Sequence, residues 1–238
     1  MVEETAIGGV AREFPRTRWT LVASSRESAE ARRRALEELL AAYWKPLYAY
    51  ARRKGLTIEA AKDAVQGFFA ELLERDFLAS LDPARGSLRA YLKTSLANFL
   101  VNQHESAVAQ KRGGGRAIVS LDVDVAERGL AGSGAPDAAF DREWAVNVME
   151  RATARLRVEF DSGERKGPFD LVLRFLGFGE PPPYADAAKA AGMSVVQLKA
   201  FLHRARTRFR ELVREEVADT AGGDAEAEIG ELLKALRP

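Results

Sequence analysis

Residues 184–217, YADAAKAAGMSVVQLKAFLHRARTRFRELVREEV, carry the most specific structural pattern in the sequence. A short helix rich in alanine comes first, and Gly192 then permits a tight turn between two crossed helices. Ser194 is placed to cap a longer helix whose apolar residues recur at the 3.6-residue helical spacing: Leu198, Phe201, Leu202, Ala205, Phe209, Leu212 and Val213. This pattern predicts a helix-turn-helix.

The second helix of this motif carries a basic face beside its apolar stripe. Off the stripe lie Gln197, Lys199, His203, Arg204, Arg206, Arg208 and Arg210. In a major groove, Arg or Lys can donate to guanine and Gln can pair with adenine, while the later arginines fit phosphates. The alternative is a solvated surface helix in which His203 has no role, and a helix-turn-helix alone does not distinguish classes of DNA-binding protein.

Composition narrows the class of protein. The 238 residues are 47% hydrophobic and 30% charged, which is typical of a globular chain with room for two small domains. We expect a cytoplasmic protein with no membrane span, because no apolar run approaches about 18 residues and no signal-peptide pattern begins the chain. The net charge is only +1, so attraction to nucleic acid must come from local clusters of Arg and Lys.

The sequence lacks most of the residue types and motifs that enzyme active sites use. The chain has no cysteine and only two histidines, His104 and His203, which excludes a disulfide framework, a thiolate nucleophile and an ordinary zinc site. The run Gly113-Gly114-Gly115 follows a helical pattern and has no Lys-Ser pair after it, so it is no P-loop. We therefore expect that the protein is not an enzyme and that it binds neither a metal nor a cofactor.

Helical patterns also fill the first half of the chain. A helix is predicted from Arg26 to Lys54, with Pro46 as a point of kinking or division and Gly55 as its end. Thr57 is the expected cap of a second helix that ends near Asp76, and Ser87 the cap of a third that ends near Gln110. The second helix would bury Ala64, Val65, Phe68, Phe69, Leu72 and Leu73.

The remaining segments follow in order. Residues 113–136 are rich in Gly, Ser and Ala and predict a flexible linker. Helices are predicted at 137–160 and 169–175, ahead of the stiff run Pro181-Pro182-Pro183. A short amphipathic helix is expected within 219–238, where it either completes the second domain or packs on either domain and holds the molecule closed. The fold class is therefore all-α.

Several motifs together resemble the extracytoplasmic-function group of the sigma-70 family of RNA polymerase sigma factors, in particular the subgroups expanded in planctomycetes. They are FPRTRWTLV (14–22), YWKPLYAY (43–50), AKDAVQGFF (61–69), QKRGG (110–114) and SLD (120–122). The likeness covers about residues 12–217. It implies a sigma region 2 helical domain at 12–112, a linker at 113–136, a region 4 helix-turn-helix domain at 137–218 and a C-terminal extension at 219–238.

The resemblance also implies partners: core RNA polymerase, through its beta-prime coiled coil and beta flap, promoter DNA, and an anti-sigma factor or Ser/Thr kinase as regulator. Polymerase would be bound by Asp63, Gln66, Phe69 and Glu71. The −10 element would be bound by the loop from Asp82 and by Arg89, Tyr91, Lys93, Asn98, Asn102, Lys111 and Arg112. The −35 element would be bound by Gln197, Lys199, Ala200, His203, Arg204, Arg206 and Arg208.

Residue chemistry suits the proposed −10 role independently of the family. An unstacked base needs amide donors and acceptors beside a planar or apolar wall, and Asn98, Asn102 and Tyr91 supply these groups. Lys93, Lys111, Arg112 and Arg116 would attract phosphates nearby. In the alternative interpretation Tyr91 is a core residue and Asn98 bonds only locally.

One departure from the family concerns the second helix. The residues before its glutamine are Ala60-Ala61-Lys62-Asp63, so the acidic surface expected to meet a basic coiled coil is thinned. Phosphorylation of Thr57 would add negative charge there and is a hypothesis. The main rival function is a helix-turn-helix regulator that acts without core polymerase, with a dimerisation or ligand domain at its N-terminus.

Overall fold

The computed structural model describes residues 28–74, 86–109, 127, 134–162, 167–218, 221 and 224–237. The prediction of an all-helical chain is confirmed for these residues, none of which lies in a strand. The helices are α1 (Ala29–Arg53), α2 (Ile58–Glu74), α3 (Leu88–Ala109), α4 (Pro136–Asp161), α5 (Phe169–Phe175), α6 (Tyr184–Ala190), α7 (Val195–Ala218) and α8 (Ala225–Ala235).

Local capping sets where the first three helices begin. The Ser28 hydroxyl accepts from the Ala31 amide at 3.0 Å, so α1 begins slightly later than predicted. Thr57 and Ser87 cap α2 and α3, as the sequence indicates, with hydroxyl-to-amide distances of 3.2 and 3.3 Å. Pro46 lies inside α1 without dividing it.

Helix α4 is central to the packing because it contacts α1, α7 and α8. Its first half places Phe140, Trp144 and Val148 in the hydrophobic cluster formed with α1, α2 and α3. Its second half places Leu156 and Phe160 in a second cluster formed with α5, α6 and α7. One 26-residue helix, about 39 Å long, therefore serves both cores.

This sharing differs from the predicted division, which assigns the whole of α4 to the second domain. Its buried residues continue at three- and four-residue spacing from Phe140 to Phe160, so one apolar stripe faces two different clusters. The composition of the preceding segment marks where the helix begins. It carries no signal of which core each turn of the helix will join.

The C-terminal helix α8 is present, as predicted, and Asp224 caps it by accepting from the Ala227 amide at 2.9 Å. It packs on α4 and α7, and its buried Leu232 belongs to the first cluster. Two roles were expected for this helix: completing the second domain, or packing on either domain so that the molecule is held closed. Because α8 contributes to the first core, the packing favours the second role.

Several segments with sequence predictions lie outside the described residues. They are the arm at 14–19, the turn at 81–85, Lys111, Arg112, Gly113 to Gly115, Arg116 and nearly all of the linker at 113–136 before Gly134.

Within that linker Glu127 is described, and its carboxylate accepts from the Tyr48 hydroxyl and from Arg52 Nε, both at 2.7 Å. Burial and the Glu127 carboxylate raise the pKa of Tyr48. None of the described helices combines the length and the hydropathy that a membrane span requires.

Candidate nucleic-acid interface

The turn between α6 and α7 contains the left-handed glycine and the serine cap that the sequence predicts. Gly192 has φ +64°, a left-handed conformation that favours glycine. The Ser194 hydroxyl accepts from the Gln197 amide at 3.2 Å, and Gln197 Oε1 accepts from the Ser194 amide at 2.8 Å. This reciprocal capping box holds the side chain of Gln197, a predicted adenine reader, against the start of α7.

One face of α7 is fully open along its first four turns. It carries Val196, Lys199, Ala200, His203, Arg204 and Thr207, all exposed and spaced three and four residues apart. Four of these are predicted −35 residues, and the structure brings them onto one surface. Val196 is 77% exposed and was missed by the sequence analysis, although its place off the apolar stripe and three residues before Lys199 indicates this surface.

Two predicted phosphate contacts, Arg206 and Arg208, are engaged within the protein. Arg206 Nη2 donates to the Phe175 carbonyl at 3.1 Å. Arg208 pairs with Glu159 at 2.8 Å, Glu211 at 3.1 Å and Glu215 at 3.0 Å, and its hydrogen bond to Glu159 raises its pKa. The expectation of a free arginine does not hold at Arg208, because a phosphate would have to displace carboxylates.

Those carboxylates belong to an ion-pair network between α4 and α7. Glu216 is buried and accepts from Arg151 at 2.9 Å and from Arg155 at 3.1 Å, while Arg155 also pairs with Glu215. The network fixes the orientation of α7 on α4 through residues of its second half. Lys199, His203 and Arg204 of the exposed first half take no part in this network.

A second exposed face lies on α3. Tyr91 is 42% exposed, Val101 is 57% exposed, and Asn98 and Asn102 are both exposed. Their spacing places them on one side of the helix over about 16 Å. The interpretation of Tyr91 as a core residue is therefore wrong, and Val101 adds an apolar group that the sequence analysis missed.

Arg89, the first predicted −10 residue of α3, lies in a different environment. Its side chain is 8% exposed and pairs with Glu228 of α8, with Nε to Oε2 at 2.9 Å. Its Nη1 donates to Asp141 of α4, and its guanidinium lies 4.6 Å from the ring centroid of Trp144. We name Arg89, Asp141 and Glu228 the latch, because they join α3, α4 and α8.

The latch keeps Arg89 from any contact with DNA in this conformation. Lys93, another predicted −10 residue, lies one turn along α3, where its Nζ is 3.4 Å from Asp141. Arg89 is therefore not the accessible cation that was predicted, and Lys93 forms an ion pair with the Asp141 carboxylate. The cause is a set of partners on helices distant in sequence, which helical periodicity does not indicate.

The predicted polymerase-binding residues of α2 divide between surface and core. Asp63 is exposed and Glu71 half-buried, but Gln66 is 9% and Phe69 1% exposed. Phe69 packs edge-on against Phe68 at 5.8 Å between ring centroids, so its assignment to a partner-facing surface is wrong. The periodicity of α2 already places it with the apolar stripe.

An acidic surface nevertheless runs along α2. Glu59 and Glu74 are exposed and extend the row begun by Asp63 and Glu71. Thr57 is exposed too, while its hydroxyl serves as the helix cap. The acidic face is therefore longer than the residues immediately before Gln66 indicate.

These three faces lie on α2, α3 and α7, which present carboxylates, amides with apolar groups, and cations respectively. The chain matches no protein-family model, no curated protein and no solved structure.

Proposed function

We propose that this protein is a sigma factor similar to the extracytoplasmic-function group, which binds core RNA polymerase and recognises the −10 and −35 promoter elements. In this proposal the acidic face of α2 docks on a basic surface of polymerase. The open face of α7 enters a major groove at the −35 element, and the exposed face of α3 holds a base released from the −10 element.

The face on α3 is the observation that carries the proposal. A regulator that binds only duplex DNA does not need to hold an unpaired base, so in the rival function this face would have to serve dimerisation or ligand binding instead. Capturing an unpaired base needs amides and an aromatic ring, because the base edge seeks hydrogen bonds and its ring seeks a planar or apolar surface. Asn98, Asn102, Tyr91 and Val101 present these groups to solvent together.

The chemistry of α7 supports the second promoter contact. Lys199 and Arg204 can donate to guanine O6 and N7, and Val196 can contact a thymine methyl group. Lys199 also lies 5.4 Å from the ring centroid of Tyr184, which limits the positions its amine explores. His203 stands between these groups on the same face.

The latch gives the proposal a regulatory consequence. Contact between Arg89 and promoter DNA requires α8 to leave, so the C-terminal extension would act as an autoinhibitory segment. Deleting residues 219–238 is then expected to increase promoter-specific transcription. If transcription is unchanged or lost on deletion, α8 is a structural helix.

The test of the proposal is promoter opening on a defined template. We expect the chain with core polymerase to make the −10 thymines reactive to permanganate, and Asn98→Ala with Asn102→Ala to reduce that reactivity while −35 binding persists. Asn147→Ala, at a half-buried asparagine of α4 outside this face, is the control for loss of an amide. A rival regulator without polymerase predicts stable dimers that bind duplex DNA alone and no opening, and that outcome would reject the proposal.

A further inference from the structure

A cavity lies where α7 and α8 meet, beside the end of α5. Its volume is about 430 Å³, and its apolar wall includes Met149, Phe209, Val213, Ile229 and Leu232. Small-molecule sites in proteins have comparable volumes and are mainly apolar, with a few polar groups that fix orientation. The cavity belongs to none of the three faces described above.

Three arginines line the same cavity at one-turn intervals along α7: Arg206, Arg210 and Arg214. Successive members are about 6 Å apart along the helix axis. Arg206 is held by the Phe175 carbonyl, whereas Arg210 and Arg214 are exposed and make no ion pair within the described ranges. The lining includes no Asp or Glu, so its charge is entirely positive.

The mouth of the cavity exposes apolar surface on α8. Leu233 is 57% and Leu236 39% exposed, and both belong to the lining. A ligand that covered these side chains would remove them from water. The combination of an apolar wall, an apolar mouth and a row of cations fits a ligand with an apolar body and an anionic end.

We propose that this cavity binds an anionic amphiphile, namely an alkyl chain with a carboxylate or phosphate head group. The chain would lie against Phe209, Ile229 and Leu232, and the head group would accept from Arg210 and Arg214. The inference does not depend on the proposed promoter function.

Occupancy would also affect α8. The ligand contacts α7 and α8 together, so binding stabilises their association and opposes the release of α8. We expect slower amide exchange in residues 225–235 when the cavity is filled.

The experiment uses the full chain, with dodecanoate and dodecyl phosphate titrated calorimetrically below their critical micelle concentrations. Saturable binding of either anion supports the proposal, and dodecyltrimethylammonium, which has the same chain and opposite charge, is expected not to bind. Arg210→Gln combined with Arg214→Gln should weaken anion binding by roughly tenfold or more. Arg204→Gln, on the other side of α7, is the matched control.

Thermal unfolding of each variant checks that it is folded, and Leu233→Glu is a second variant that places a negative charge at the mouth. The proposal is overturned by equal binding of the cationic amphiphile, by absence of saturable anion binding, or by unchanged affinity in both the double arginine variant and Leu233→Glu.

Discussion

Replacing Glu228 with Gln isolates the latch while keeping the shape of α8. The substitution removes the charge that pairs with Arg89, whose side chain is only 8% exposed, but leaves an amide oxygen in place of a carboxylate oxygen. We expect α8 to open more often, because among the described residues Asp141 is then the one carboxylate still paired with Arg89.

The expected loss of free energy depends on how Arg89 is buried and paired. Leaving a buried charge with no partner costs about 3–5 kcal/mol. Asp141 still pairs with Arg89, and the terminal helix can move away and admit water, so we expect a smaller loss of about 1–2 kcal/mol. That loss increases the open population of α8 by roughly 5- to 30-fold.

Hydrogen exchange of the amides in residues 225–235 measures this opening directly. Glu231→Gln is the comparison variant because Glu231 lies one turn from Glu228 and pairs with Lys234, with side-chain exposures of 44% and 69%. The hydrogen bond from Lys234 lowers the pKa of Glu231 and the charges of Arg89 and Lys93 help to lower it, but Glu231 makes no ion pair with Arg89 among the described residues. Surface pairs of this kind contribute below about 1 kcal/mol. We expect Glu231→Gln to change exchange by about fivefold or less.

Equal exchange in Glu228→Gln and Glu231→Gln would refute the reasoning. So would additive effects in the double variant Arg89→Met and Glu228→Gln, because two residues that stabilise α8 through one contact must show coupling.

Three further predictions concern other parts of the molecule. Burial raises the pKa of the Glu143 carboxyl above its ordinary 4.5, so its ionisation opposes folding; Glu143→Gln should stabilise the protein at pH 7, and urea unfolding should show that advantage shrinking as pH falls toward 4.5. Gly167 has φ +153° and an added Cβ would lie 2.5 Å from Phe201, so Gly167→Ala should lower the free energy of unfolding by about 2–3 kcal/mol, whereas Gly134→Ala, with nothing within 4 Å, should be nearly neutral. Arg204→Ala should reduce discrimination at one −35 base pair by about 1–3 kcal/mol in promoter competition with core polymerase, and a uniform loss across sequences would instead indicate a phosphate contact.

Much of the fold could be predicted because its signals are local. Thr57, Ser87 and Ser194 each cap the helix that follows, and Gly192 takes the conformation that its place in the turn requires. The apolar stripe of α7 is also local, since a 3.6-residue period fixes which side chains share a face.

The predictions that were wrong concern charged side chains whose partners lie far away in the sequence. Arg89 and Glu228 are separated by 139 positions, and no periodicity in either helix indicates that they meet. Arg208 likewise looks like a surface cation until α4 brings Glu159 to it. Burial of such a side chain depends on tertiary packing, so sequence predicts the face of a helix better than the availability of a charge on it.

Binding to core RNA polymerase is measured by mixing the purified chain with the bacterial enzyme and following complex formation by gel filtration. If the protein is a sigma factor, we expect a stoichiometric complex that initiates run-off transcription. Asp63→Arg should weaken this complex, and Glu37→Arg on the exposed side of α1 is the control. Failure of both the full chain and the chain lacking residues 219–238 to bind core polymerase would contradict the proposed function.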